Sequence, residues 1–271
     1  MPLVFTESQI QRCYKAIQVR TSRRKFNGEP LKSHDISVLQ SLCQSFRPFH
    51  GLRAVLVNEP PDDIFTGLAG SYGKVKDAPA YMAFIGKSDL EEVEGKIGYL
   101  GEALILEATA AGLSTCWVAG FFCPYMVRSQ IDLQEREKVY AVTPLGYTDK
   151  GLNFEEKTMS FLVSSKKRKS LVQLTAGQDH TTWPQTVQEA LKAVQWAPSA
   201  VNRQPWRIRR EEKSFIIATD GPQGSYGISK RLDCGIAMVH FEVALRYHGE
   251  EGDWQWLHEP DVAKWTVLEK Q

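Results

Sequence analysis

Two stretches of the chain are apolar around nearly the whole circumference of a helix. One runs Gly98-Tyr-Leu-Gly-Glu-Ala-Leu-Ile-Leu-Glu-Ala-Thr-Ala-Ala-Gly112, the other Gly235-Ile-Ala-Met-Val-His-Phe-Glu-Val-Ala-Leu-Arg-Tyr-His-Gly249. A helix with so few polar breaks belongs in a core, and the closing glycine suits a left-handed C-cap. Each stretch is followed by a tryptophan at the same spacing, Trp117 and Trp254. Similar elements precede each. In the first half a helical pattern over Ser33–Phe46 passes through Pro48 to a strand over Leu52–Val57. In the second half a helix over Pro184–Trp196 passes through Pro198 to strands over Trp206–Arg209 and Ser214–Ala218. Short runs rich in β-branched and aromatic residues add strands over Ala80–Ile85 and Val139–Leu145. Ser33, followed by His34 and Asp35, reads as a helix start, and Pro184 as a first-turn proline. The pattern predicts a duplicated architecture.

The segment from Asp149 to Asp179 joins the two halves. It is polar and carries the basic run Lys166-Lys-Arg-Lys169, so it is expected to be a connector or an arm across the surface.

Composition narrows the function classes. The chain has 271 residues, long enough to bury a large core without crosslinks. Its net charge of +1 gives no field that would draw it to nucleic acid or to a membrane surface. Five cysteines with no C-x-x-C pair argue against a disulfide framework or zinc site and fit a reducing, cytoplasmic compartment. The start MPLVFTESQIQRCYKAI lacks the basic and apolar regions of a signal peptide. The most apolar stretch, Ile97 to Phe122, is interrupted by Glu102 and Glu107, so a buried helix is expected there rather than a membrane span. The six histidines have no metal-ligand spacing, and His240 reads as a core or helix-face residue.

Three clusters carry candidate chemistry. In Arg20-Thr-Ser-Arg-Arg-Lys-Phe26 the side chains of Arg20, Ser22 and Arg24 share one face if the segment is extended. Two guanidiniums and a hydroxyl suit a phosphate. Ala197-Pro-Ser-Ala-Val-Asn-Arg-Gln-Pro-Trp206 is a proline-bounded loop after a helix, able to lie against a planar ring. Gly112-Leu-Ser-Thr-Cys-Trp-Val-Ala-Gly-Phe121 is a glycine-punctuated turn that lets backbone approach a ligand. Other motifs lack their partners. Ser71-x-x-Lys74 is not followed by the further motifs of serine acyl-enzymes. Tyr226-x-x-x-Lys230 has no G-x-G-x-x-G fingerprint before it.

In chain order the three clusters resemble the nitroreductase family. R-x-S-x-R-x-F is matched at Arg20 to Phe26, G-L-x-x-x-W-x-x-G-F at Gly112 to Phe121, and P-S-x-x-N-x-Q-P-W at Pro198 to Trp206. The resemblance implies an α+β fold with helices on antiparallel-rich sheets, FMN as cofactor, and a flavin site shared between two protomers. Here the first half carries the Arg/Ser motif but reads Ser45-Phe-Arg-Pro-Phe-His-Gly51 where the loop belongs. The second half has the loop and lacks the motif. Each half keeps what the other lost, as in single-chain, fused-dimer members. One chain is then expected to be a monomer acting as a pseudo-dimer, with residues 1–170 as one half, 171–271 as the other, and one FMN.

By the same resemblance the cofactor residues are Arg20, Ser22, Arg24, Ser71, Lys74, Ala119, Gly120, Lys166, Arg168, Pro198, Ser199, Ala200 and Asn202, with no side chain acting as nucleophile. The implied reaction passes hydride from NAD(P)H through flavin N5 to a small oxidised acceptor, a nitroaromatic or a quinone, in ping-pong order. The alternative is a non-catalytic flavin-binding or redox-sensing protein on the same fold.

Overall fold

The computed structural model describes residues 5–61, 64–65, 75–149, 167–221 and 227–268. Helix α1 (Glu7–Val19) starts at a capping box in which Thr6 and Gln9 satisfy each other's backbone N–H groups. Helix α2 (Ser33–Ser45) leads to β1 (Leu52–Val57), which pairs with β2 (Ala80–Lys87). Then follow α3 (Val93–Ala110), a short β3 (Ser114–Thr115), α4 (Pro124–Gln130) and β4 (Glu137–Gly146). The second half holds a one-turn α5 (Leu171–Leu174), α6 (Gln185–Gln195), β5 (Trp206–Glu211), β6 (Ser214–Thr219), α7 (Lys230–Tyr247), β7 (Gly252–Trp256) and β8 (Asp261–Val267). The class is α+β.

The duplication is written into the topology. Both sheets are antiparallel, ordered β1-β2-β4-β3 and β5-β6-β8-β7. In each, a long apolar helix is inserted between the second and third strands. Both also shift register between the second and fourth strands, at Phe84/Ile85 and at Ile217/Ala218. The two helices pack on each other at the centre of the molecule. A Cβ added at Gly98 would sit 2.0 Å from the Leu232 carbonyl oxygen, and one at Gly235 would sit 1.9 Å from that of Gly95. Gly95 and Leu232 each precede the partner glycine by three residues, so the contact is reciprocal, as across a two-fold axis. Only glycine permits backbones this close. Gly112 and Gly249, at the ends of these helices, have φ of +85° and +80°, as their sequence positions predict.

One hydrophobic core runs through both halves, from Ile10 and Leu39 to Trp206 and Trp265. A smaller core, with Phe26, Ile64 and Val127, covers the other face of the first sheet. With both faces covered, β2 is buried from Ala80 to Gly86, which is why it reads as an unbroken apolar run. Among the described residues no helix is long and apolar enough to cross a membrane.

Differences from the sequence reading are local. Pro184 is the N-cap of α6 rather than its first helical residue, whereas α2 begins at Ser33 as read. From Lys167 onward the expected connector is packed against the second half. The Lys169 N–H donates to Gln204 Oε1, Gln195 Nε2 donates to the Lys169 carbonyl, and Leu174 is fully buried.

Candidate functional site

The segment after α1 is extended because it pairs on both sides. Ser22 bridges Thr115 and Lys25 bridges Lys76, both in parallel fashion. Its alternation separates the side chains. Ser22 and Arg24 face a cleft, whereas Arg23 points away and donates to Thr148 Oγ1 at 3.0 Å. Arg20 is 8% exposed and lies behind them.

Across the cleft stands the loop from Pro198. Val201, Asn202 and Gln204 have φ of 48°, 56° and 47°, the left-handed region that side chains disfavour. Such a run persists only where its surroundings over-determine it. Here Ser199 Oγ accepts the Gln204 N–H at 2.9 Å, and Gln204 Nε2 donates to the carbonyls of Asn202 and Lys167. Asp233, in the first turn of α7, accepts the Ala200 N–H at 3.0 Å and Arg203 Nε at 2.6 Å. Arg203 in turn donates to the carbonyls of Ile228 and Ser229. The loop is thereby pinned to the helix that forms the cleft floor.

The cleft lies between the two halves and is open to solvent. The first half supplies Ser22, Arg24, Val75 and the turn from Cys116 to Phe121. The second supplies Pro198 to Val201, Ile228, Leu232, Asp233 and Ile236. The walls are apolar apart from a few convergent polar groups. Burial pushes the Asp233 carboxyl up to about 6, against the pull of Arg203 and the Ala200 N–H.

A second feature adjoins the cleft. Arg168 donates to Asn202 Oδ1 at 2.9 Å and to the Ala197 carbonyl at 3.2 Å. Its pKa is pulled down to about 10, first by burial and then by the charge of Arg20. Neither Nε nor Nη1 of Arg20 has a hydrogen-bond partner among the described residues. Two guanidiniums, that of Arg20 buried and with orphaned N–H groups, suit an anion.

Of the residues expected from sequence, Ser22, Arg24, Ala119, Gly120, Pro198, Ser199 and Ala200 line this one cleft. Arg20 and Arg168 form the adjoining pair. Asn202 does not line the cleft; its side chain is held by Arg168 and by the Lys167 carbonyl. Ser71, Lys74 and Lys166 lie outside the described residues. Sequence reasoning missed Leu232, Asp233 and Ile236. Ile236 belongs to a stretch read only as core, and Leu232 and Asp233 lie before the start of that reading at Gly235; all three lie in the first turns of α7.

The equivalent place in the duplicate is filled. Matching Gly98 to Gly235 and Trp117 to Trp254 sets Trp256 opposite Ala119 and Tyr99 opposite Ile236. Phe49 stacks edge-on against both Tyr99 (5.3 Å) and Trp256 (5.5 Å). Trp256 also packs on Gly95, where a Cβ would meet it at 2.7 Å.

Comparison with known proteins agrees with this architecture. A family model described as “Putative TM nitroreductase” matches residues 12–245. A crystal structure of a “putative nitroreductase” from Thermotoga maritima superposes with a TM-score of 0.64 at 20% identity, covering 94% of this chain and 93% of that one. That likeness shows the fold. A nitroreductase with bound FMN from Bacteroides fragilis matches 52% of this chain and 91% of its own, at 16% identity and a TM-score of 0.43. A nitroreductase family protein from Clostridium novyi matches 51% and 85%, at 19% identity and a TM-score of 0.43. No protein of curated function matches the chain.

Proposed function

The chain belongs to the family described as “Putative TM nitroreductase”, and from that premise we propose that it is an FMN-dependent oxidoreductase that moves electrons from NAD(P)H to a small oxidised acceptor, a nitroaromatic or a quinone. The observation that carries this reading is the cleft between the halves: apolar walls for a planar ring, with the Arg20–Arg168 pair beside them. The residues present fit FMN. Arg20, Arg168 and the Ser22 hydroxyl would hold the phosphate. The chain from Pro198 to Ala200 would form one wall and Ala119 and Gly120 the other, with Arg24 supplying positive charge. Asn202 acts by fixing Arg168. Ser71, Lys74 and Lys166 complete the proposed set on residues not described.

When bound, FMN would supply a two-electron carrier that neither partner substrate provides. The chain's own part is to bind, to orient and to exclude water. The strained loop presents Pro198 to Val201 at a fixed angle because Asp233 and Ser199 lock it. An open face on the cleft would let donor and acceptor occupy the same place in turn, which gives ping-pong kinetics. Residues 1–170 and 171–271 act as the two protomers of a pseudo-dimer, and one chain holds one FMN.

The test is flavin released by heat from purified protein, followed by reduction with NADH and with NADPH. One FMN per chain, bleached by a nicotinamide and reoxidised by a quinone or nitroaromatic, is the expected result. FMN that binds at one per chain but is never bleached would point to the flavin-sensing alternative. Unchanged flavin content in both Arg24→Ala and Asn202→Ala would sink the site assignment.

A further inference from the structure

Behind the cleft lies a buried polar cluster that the flavin reading leaves unused. Glu102 of α3 and His240 of α7 are both fully buried. Glu102 Oε2 accepts the Trp117 indole N–H at 2.6 Å, and its Oε1 lies 2.8 Å from His240 Nε2. The other ring nitrogen, His240 Nδ1, lies 3.1 Å from the Ala193 carbonyl oxygen of α6. Arg20 Nε is 3.8 Å from Glu102 Oε1, an ion-pair distance too long for a hydrogen bond.

The proton count follows from the partners. A carbonyl oxygen and an ionised carboxylate only accept, and a neutral imidazole has a single N–H. With one ring proton and an ionised Glu102, one of the two contacts would set lone pair against lone pair in a buried site, at a heavy desolvation cost. Two protons satisfy both contacts, either as imidazolium and carboxylate or as neutral ring and carboxylic acid. In both forms the pair has no net charge.

That count decides what Arg20 is free to do. Among the described residues the titratable groups facing the pair are few: Arg20 from the segment after α1, with Arg168 beyond it, and the Cys13 thiol of α1, which burial and then Glu107 push well above its ordinary range so that it stays neutral. From α6 comes only a carbonyl, and from the turn after β3 only the Trp117 N–H. The other acid of α3, Glu107, faces Arg12 and Cys13. A singly protonated pair would carry a full negative charge within 4 Å of Arg20, which at low dielectric would claim that guanidinium.

We propose that Glu102 and His240 form a two-proton, net-neutral unit that leaves the charge of Arg20 uncompensated for the cofactor's phosphate, making both of them positioning residues for the anion site. The inference rests on the flavin reading above. It explains why a buried arginine beside a buried glutamate still has orphaned N–H groups. It also ties Trp117, a wall of the cleft, to the same carboxylate.

The first measurement is NMR of protein with 15N-labelled histidine and 13C-labelled glutamate at pH 8. Both ring nitrogens of His240 protonated, or a one-proton ring facing a protonated Glu102, is the expected result. A one-proton ring facing an ionised Glu102 overturns the proposal.

The second is titration of FMN and of riboflavin, which lacks the phosphate, into three variants. His240→Gln leaves Glu102 charged and should weaken FMN on the order of tenfold while moving riboflavin by no more than about twofold. Glu102→Gln can donate its amide N–H to a neutral His240, so the unit stays neutral and FMN should stay within about threefold of wild type. The double variant Glu102→Gln/His240→Gln is also neutral and should recover the FMN affinity lost by His240→Gln. Equal losses for FMN and riboflavin, or a double variant no better than the single, overturn the proposal in favour of a packing role. Wild type that takes up inorganic phosphate but not FMN overturns the flavin reading alone. Wild type that binds neither overturns both.

Discussion

The two halves are built alike and their equivalent clefts are opposites. Around Ala119 the cleft is open, floored by Leu232 and Ile236 and faced by a pinned loop. Around Trp256, the counterpart of Ala119, three aromatic rings occupy the space. The segment Ser45–Gly51, which stands where the second half has its proline-bounded loop, contributes the plug. Phe46 stacks on Phe5, and Phe49 fills the gap beneath Trp256. The halves therefore share the scaffold, including the register shift and the helix crossing, while one cleft is open and its counterpart is filled. Burial of aromatic surface supports the closed side with dispersion and apolar transfer. The open side retains strained backbone and a cluster of buried charges.

The largest effect should come from the element the halves share. Gly98→Ala and Gly235→Ala each place a methyl against a backbone carbonyl that cannot step aside. Each should cost about 3 kcal/mol in urea unfolding at an unchanged slope. If one is tolerated and the other is not, the crossing is not the reciprocal contact described here. Next is exchange of the residue that distinguishes the clefts. Ala119→Trp imports the plug into the open cleft and should abolish FMN binding, by about a hundredfold or more, with circular dichroism unchanged. FMN affinity within a few fold of wild type would place the cofactor elsewhere.

Much of this contrast was legible in the sequence. The paired helices, their closing glycines and the two tryptophans revealed the duplication, because an all-apolar helix leaves a dense signature. The three motifs picked out most of the polar rim, because glycine, proline and arginine act through local backbone or charge. The plug was not legible. Trp254 and Trp256 alternate with Asp253 and Gln255 as a strand should, but neither β7 nor β8 was read as a strand from the sequence. Asp233 stands just before the apolar stretch that begins at Gly235 and was not singled out. Only the fold shows that it reaches Ala200 and Arg203. His240 was read as a core or helix-face residue, yet nothing local points to a partner on Glu102, far away in sequence. Long-range side-chain pairs leave no period to detect.

Removing the plug is the converse exchange and a smaller effect. Trp256→Ala should lose about 2 kcal/mol of stability, since the ring is only partly buried and the space it leaves is lined by Tyr99 and Phe49. It should not raise flavin stoichiometry above one, because that side lacks both the Arg/Ser motif and the loop. A second FMN per chain in this variant would mean that shape alone selects the cofactor and that the motif arginines matter less than argued.

The smallest effect separates the clefts by pH. Lys96 occupies the position opposite Asp233, so only the open cleft has a buried acid holding its loop. Burial raises that acid from its ordinary 3.8 to about 6. The sign for folding follows by linkage. The folded state keeps the proton up to about pH 6 and the unfolded chain releases it near 4, so this group's contribution is fully present below pH 4 and lost as pH rises through 6. The sign for binding is opposite. Protonation below pH 6 weakens the hold of Asp233 on Arg203 and the Ala200 N–H, so the loop loosens and FMN affinity should fall a few fold between pH 7 and pH 5. Asp220 also bears on Asp233, but its own carboxyl is held below the usual range through Lys230, Arg207 and Lys169 and stays ionised in this window. The measurement is the difference between wild type and Asp233→Asn. In wild type, urea stability should gain from this site as the pH drops while FMN affinity declines; in the variant both trends should flatten. If affinity and stability move in the same direction, Asp233 is a structural acid and the loop is held by Ser199 and Gln204 instead.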